Sequence, residues 1–209
     1  MSTPKIPKPV KLIASFLSPE KEAINEGIVR MVELYGEADF VSGFEPFAFT
    51  NYYQKELGEP LLRRFVAFRE LVAPDILPAV KIQTNTIEDG LRRADNSRRL
   101  NIDPGYIAFQ HLILATGKGF AHRPYLGSGI YADLTLIFRD GAYHPLEWTY
   151  PDYASPGVRK MFEKIRAAYW LTMKLGEKSQ NGERNLTMAA AASGKRKNPQ
   201  EEKGEGKEE

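Results

Sequence analysis

The sequence predicts an α+β domain, a largely antiparallel sheet with helices packed on it, followed by a polar C-terminal tail. Three observations carry this prediction. The chain opens with an apolar strand-like run and then apolar residues at helical spacing. Its second half holds alternating runs joined by hairpin signals. A wide apolar helical face then precedes an abrupt polar shift in composition.

The elements follow in order. Val10 to Leu17 is apolar except for Lys11 and Ser15, which reads as a buried strand. Ser18-Pro19 supplies an N-cap and a first-turn proline for a helix carrying Ile24, Ile28, Met31, Val32 and Tyr35, with Gly36 as its stop. Phe40-Val41 and Pro46 to Phe49 read as short strands around a turn at Gly43. A short helix is expected over Asn51 to Leu57 and a strand over Leu61 to Leu71. Val80 to Thr84 reads as another strand. Asn85 and Glu88 fit a capping box opening a helix over Thr86 to Ala94.

Further on, Arg99 to Ile102, Tyr106 to Thr116, Gly129 to Arg139 and Ala142 to Leu146 read as strands, with turns expected at Asp103-Pro104-Gly105 and Asp140-Gly141. In the third run, Ile130, Ala132, Leu134, Leu136 and Phe138 alternate with Tyr131, Asp133, Thr135 and Arg139, which gives the strand a polar face. Val158 to Leu175 closes the domain as an amphipathic helix, entered through Asp152, Ser155 and Pro156. A faint echo between Val10-Lys11-Leu12 and Val80-Lys81-Ile82 raises an internal duplication that three residues do not establish.

These elements divide the chain into a flexible N-terminus at 1–7, a single α+β domain at 8–175 and a charged tail at 176–209. From Glu177 onward the tail carries seven basic and seven acidic residues and only Leu186 and Met188 as large apolar ones. Such a segment buries too little apolar surface to offset its ordering entropy, and it reads as disordered with a short helical run at Thr187 to Ala192.

Bulk properties exclude several classes. The absence of cysteine removes disulfide scaffolds, thiol nucleophiles and Cys-ligated metals. No apolar run approaches the ~20 residues of a membrane span. Met1 to Lys11 lacks the apolar core of a signal peptide, so the expected compartment is the cytoplasm. The net charge of +2 is too small to argue for nucleic acid by itself. No P-loop, nucleophile elbow or Rossmann fingerprint is present, and His111, His122 and His144 are too scattered for a zinc site.

Two segments hold the candidate site. In Arg99-Leu100-Asn101-Ile102-Asp103, strand alternation puts Arg99, Asn101 and Asp103 on one face: a guanidinium, an amide and a carboxylate suited to a polar ligand. The loop from Gly117 to Gly129 combines four glycines with Lys118, His122 and Arg123 and leads into Tyr131 and Asp133. If the two segments meet, Asp103, His122 and Asp133 become candidate catalytic residues, with Arg99, Asn101, Arg123 and Tyr131 as ligand contacts. Asp103 and Asp133 would also suit a Mg²⁺ ion, although no metal site is assigned. The competing reading is a turn capped by Asp103 beside a solvated loop.

Pro9-Val10-Lys11-Leu12, Phe49-Thr50-Asn51-Tyr52-Tyr53, Arg63-Arg64-Phe65-Val66, Leu100-Asn101-Ile102-Asp103-Pro104-Gly105-Tyr106, His122-Arg123, Gly129-Ile130-Tyr131-Ala132 and Trp148-Thr149-Tyr150-Pro151-Asp152-Tyr153 together resemble the bacterial and archaeal domain-of-unknown-function family DUF4416. The resemblance spans about residues 8–172 and brings no catalytic residues with it. The expected function is binding of a small anionic or nucleotide-like ligand, with acid/base or metal-assisted chemistry as an extension. The rival is a noncatalytic RNA- or protein-binding module using Arg63, Arg64 and the nearby aromatics. Cofactor and oligomeric state stay open.

Overall fold

A computed structural model describes residues 1–50 and 53–193. The chain divides into two compact units, Met1–Tyr169 and Trp170–Glu209. The first holds β1 (Val10–Ser18), α1 (Lys21–Tyr35), β2 (Ala38–Val41), β3 (Glu45–Pro46), α2 (Gln54–Leu57), β4 (Leu62–Val72), α3 (Leu77–Gly90), β5 (Asn101–Ile107), β6 (His111–Thr116), β7 (Tyr125–Gly127), β8 (Ile130–Arg139), β9 (Ala142–Pro145) and α4 (Pro151–Ala154). Helix α5 (Pro156–Ser193) begins in the first unit, and its residues from Trp170 onward belong to the second. The expected helical run at 187–192 lies inside α5, and residues 194–209 of the tail lie outside the described residues.

Among the described residues, nine strands join one antiparallel sheet in the order β2-β4-β1-β5-β6-β8-β7, with β3 on β4 and β9 on β8. The α+β reading is therefore the architecture found. The central strand β1 is buried along its whole length, which is why it lacks polar alternation. One sheet face carries Leu12, Ala14, Phe16 and Ile102 against Ile24, Met31, Val80 and Ile87 of α1 and α3. On the other face, Phe65 of β4 meets Phe162 of α5 edge-on at 5.3 Å and Tyr153 of α4 at 5.7 Å. Fully burying a side chain such as Phe16 contributes about 1.5–3 kcal/mol.

Several local expectations are corrected. Helix α1 starts at Lys21, because the Ser18 hydroxyl accepts the Glu20 N–H and donates to the Arg99 carbonyl, so it closes a turn before the helix. Val80 to Thr84 is no strand. It lies inside α3, whose buried Leu77, Val80, Thr84 and Ile87 follow helical spacing, and Asn85 sits in mid-helix. The duplication echo therefore pairs a strand with a helix. Phe47 to Phe49 lies beyond β3, and of the helix expected over Asn51 to Leu57 only Gln54–Leu57 is found, Asn51 and Tyr52 lying outside the described residues.

One further correction bears on the site. Asp103-Pro104-Gly105 makes no turn, because β5 runs straight through it. The reversal comes at residues 108–110, closed by the Ala108 N–H donating to the His111 carbonyl at 2.9 Å. Gly105 lets β5 and β6 approach closely, since a Cβ there would stand 2.2 Å from the Ile113 carbonyl oxygen. Pro104 falls just outside the β5–β6 pairing, which covers only Gly105 to Ile107. The Asp140-Gly141 turn forms as expected, both residues having positive φ. Ser155 caps α5, its hydroxyl accepting the Val158 N–H at 3.4 Å.

Gly105→Ala should force β5 and β6 apart and cost about 1–3 kcal/mol as an overpacking substitution. A urea midpoint equal to that of the parent would show that the contact is not limiting.

Candidate functional site

The site begins where β5 and β6 stop pairing. Gly105 to Ile107 pair with Leu112 to Leu114, and beyond the Gly105–Leu114 end of that short ladder residues 101–104 and 115–118 have no partner in each other. Ile102 therefore lacks a strand neighbour on its β6 side, and α3 takes its main-chain groups instead. Lys81 Nζ donates to the Ile102 carbonyl at 2.7 Å, and the Ile102 N–H donates to Glu88 Oε1 at 2.7 Å. The seven-residue interval between Lys81 and Glu88 puts both on one helical face.

A cavity of about 850 Å³ occupies this divergence. Its floor comes from the sheet. Ser15 and Leu17 of β1 pair with Asp103 and Asn101 on one side and with Phe65 and Arg63 on the other, while Leu114 pairs with both Gly105 and Asp133. Cross-strand partners point to the same face, so Arg63, Asn101, Asp103 and Asp133 share one surface. Phe47, Phe49 and Tyr53 line the cavity beside Arg63, and Thr116, Gly117 and Lys118 line it beside Asp133. Tyr150 and Tyr153 add two further rings.

Much of the charge at the cavity is paired. Arg63 and Asp152 form an ion pair with only 7% and 6% of their side chains exposed, and the Arg63 guanidinium lies 4.3 Å from the Phe47 ring centre. Arg98 bridges Glu56 at 3.0 Å and Glu88 at 3.2 Å. Burial pushes the Glu88 carboxyl up to about 7, against the opposing pull of Lys81, the Ile102 N–H and Arg98. Burial likewise raises the Tyr53 and Tyr153 hydroxyls far above the usual phenol range. Lys81 Nζ stands 3.8 Å from Asp103 Oδ1 and 4.0 Å from Glu88 Oε1.

The sequence-predicted residues separate into three groups. Asn101, Asp103 and Asp133 line the cavity, with Asn101 Nδ2 donating to Asp103 Oδ2 at 2.8 Å. His122 and Arg123 meet Asp133 behind that lining. His122 Nε2 lies 3.7 Å from Asp133 Oδ2, and the imidazole stacks on Trp148 at 4.6 Å. Arg123 donates to Asp133 Oδ2 at 2.8 Å, to the Tyr150 hydroxyl at 2.8 Å and to the Lys118 carbonyl at 3.1 Å. Arg99 and Tyr131 do not line the cavity. Glu20 takes Arg99 at 2.6 Å, and that bond holds the Glu20 carboxyl below the usual range; Tyr131 packs on Tyr125 instead.

Asp103 and Asp133 lie on β5 and β8 with β6 between them, roughly 9–10 Å apart in strand spacing alone. A single Mg²⁺, with bonds of about 2.0–2.1 Å, does not bridge such a gap directly. Among the described residues no three His, Asp or Glu side chains gather as a metal-binding group. The polar face expected on β8 is also interrupted. Leu112 pairs with Leu136 and Ile113 with Leu134, so Thr135 is an extra bulged residue and Leu136 turns to the Asp133 side.

Sequence reasoning missed Lys81, Glu88, Arg98 and the role of Asp152. Reading Val80 to Thr84 as a strand hid the first two, although Leu77, Val80, Thr84 and Ile87 carry the helical signal. Arg63 and Arg64, offered as a nucleic-acid surface, are both engaged. Arg63 is buried, and Arg64 donates to the Ser42 carbonyl and to Asn25.

Arg63→Leu should cost about 3–5 kcal/mol by leaving Asp152 buried without its partner, and adding Asp152→Leu should recover much of that loss. Strictly additive losses in urea denaturation would count against a coupled pair. Folded Glu88 keeps its proton up to about pH 7, whereas an unperturbed glutamate releases it near 4.5. Across that window the folded state binds more protons, so its stability falls as pH rises. Glu88→Gln should flatten this slope, and an unchanged slope would assign it to other groups.

No curated protein and no solved structure matches the chain. Among the described residues, no helix is long and apolar enough to cross a membrane. The family model described as Domain of unknown function (DUF4416) matches residues 8–169, close to the whole first compact unit. The chain therefore belongs to the DUF4416 family.

Proposed function

We propose that this protein binds a small anionic or nucleotide-like ligand in the cavity between β5 and β6. One observation carries the reading: a concavity of about 850 Å³ whose walls combine aromatic rings with a few polar groups held in place by hydrogen bonds and ion pairs. That size and composition are those of small-molecule sites in general. Phe47, Phe49 and Tyr53 offer a surface for a planar group, while Lys81, Arg98 and Lys118 supply positive charge. Asp103 and Asn101 add hydrogen-bonding groups between these regions. Binding would stiffen a place where the sheet lacks a strand. We place this activity in the cytoplasm, in keeping with the absence of cysteine.

If chemistry accompanies binding, Asp103 beside Lys81 is the pair positioned to exchange a proton with the ligand. His122 would then act only through Asp133, as a positioning residue. The buried state of Arg63 weighs against an RNA surface built on it.

The test is thermal-shift screening and calorimetry against phosphates, sugar phosphates and mononucleotides. A ligand at a hundred times its Kd should stabilise the fold by about 2.7 kcal/mol. Gly117 lines the cavity, and a Cβ added there meets nothing within 4 Å, so Gly117→Trp introduces a ring at the cavity wall with no clash at its Cβ. Loss of the ligand-induced shift in that variant, at unchanged stability, is the expected result. A shift that survives it would put the ligand elsewhere.

A further inference from the structure

We infer that Lys81 and Asp103 form a hydroxyl-reading pair, so that the ligand of the β5–β6 cavity is a hydroxylated phosphate: a sugar phosphate or the ribose of a nucleotide. This rests on the proposed binding function and narrows its substrate class.

Lys81 Nζ and Asp103 Oδ1 are 3.8 Å apart, beyond hydrogen-bond range yet close enough for one oxygen atom to contact both. Both residues line the cavity, with 10% and 27% of their side chains exposed. Neither is free to close the gap. The Ile102 carbonyl anchors Lys81 at 2.7 Å, and the Asn101 amide at 2.8 Å holds the other oxygen of Asp103. The ammonium has three donors and its bond to Ile102 uses one of them, while the bond from Asn101 falls on Oδ2 of Asp103 and leaves Oδ1 facing the lysine.

A group that satisfies both must accept from Lys81 and donate to Asp103 at the same atom. A hydroxyl does this. A phosphate or carboxylate oxygen only accepts and would face Asp103 with like charge, and an ammonium only donates and would face Lys81 in the same way. The hydroxyl must therefore belong to a ligand whose anionic group sits away from Asp103. Lys118, on the stretch from Thr116 to Lys118 that lines the cavity beside Asp133, offers such a place. Replacing the hydroxyl with hydrogen would leave two charged groups without their bridge, which is the kind of mismatch that polar sites reject most strongly.

The experiment compares matched probes by calorimetry on the full chain: ribose phosphate against deoxyribose phosphate, and adenosine monophosphate against its dideoxy analogue. The expected result is at least about tenfold weaker binding of the deoxygenated member of one pair, the scale of a charge-assisted hydrogen bond. Which pair shows it separates free sugar phosphates from nucleotides. Asp103→Asn should collapse the ratio toward one, with Lys81→Met as a second variant and urea midpoints reported for both. Equal affinity for the hydroxylated and deoxygenated members overturns the hydroxyl-reading pair and leaves the binding function standing. Absence of binding by every phosphate probe overturns both.

Discussion

The short pairing between β5 and β6 is the constraint on which the rest of this structure depends. Three residues of β5 meet three of β6, held close by Gly105 against the Ile113 carbonyl, and then the strands part. A sheet that parts leaves main-chain donors and acceptors without partners, and buried ones must be satisfied. Helix α3 meets that need by sending Lys81 and Glu88 to the two main-chain groups of Ile102. The same opening admits the cavity and puts a lysine from one sheet layer beside Asp103 from the opposite face of β5.

Charge pairing then shapes what surrounds the opening. Arg63 with Asp152 joins β4 to α4, Arg98 joins α2 to α3 through Glu56 and Glu88, and Arg123 joins the glycine-rich loop to β8 and Tyr150. Each pair fixes a wall of the cavity, and each carries a desolvation cost that only good geometry offsets. Polar groups held in place in this way would leave less ordering to be done on binding of the proposed ligand. Membership of the DUF4416 family covers residues 8–169, and with them every residue that lines the cavity, without supplying a chemistry.

Glu88 shows how closely the fold and the site are coupled. It accepts the Ile102 N–H, stands near Lys81 and Arg98, and is buried enough for its proton affinity to rise. A group so placed ties the protonation of the interior to the shape of the β5–β6 opening. Any anion bound near Lys81 would strengthen that tie by disfavouring a second negative charge close by.

The sequence by itself determined the class of fold, the central strand β1, the first helix with its Gly36 stop, the Asp140-Gly141 hairpin and the amphipathic start of α5. All of these rest on local periodicity and turn chemistry, which neighbouring residues carry among themselves. It also singled out Asn101, Asp103 and Asp133 because polar residues alternated with apolar ones, and His122 and Arg123 because a glycine-rich loop carries their charge. Only the tertiary structure decided that Arg99 belongs to Glu20, that Asp103-Pro104-Gly105 is strand rather than turn, and that Lys81 and Glu88 reach the same place from a helix. Turn propensity at Pro-Gly is a local preference of a kcal/mol or so, and pairing to β1 across the whole segment outweighs it. Ion pairs between residues tens of positions apart leave no periodic trace in the chain, so the partners of Arg63 and Arg98 emerged only when strands and helices were set side by side.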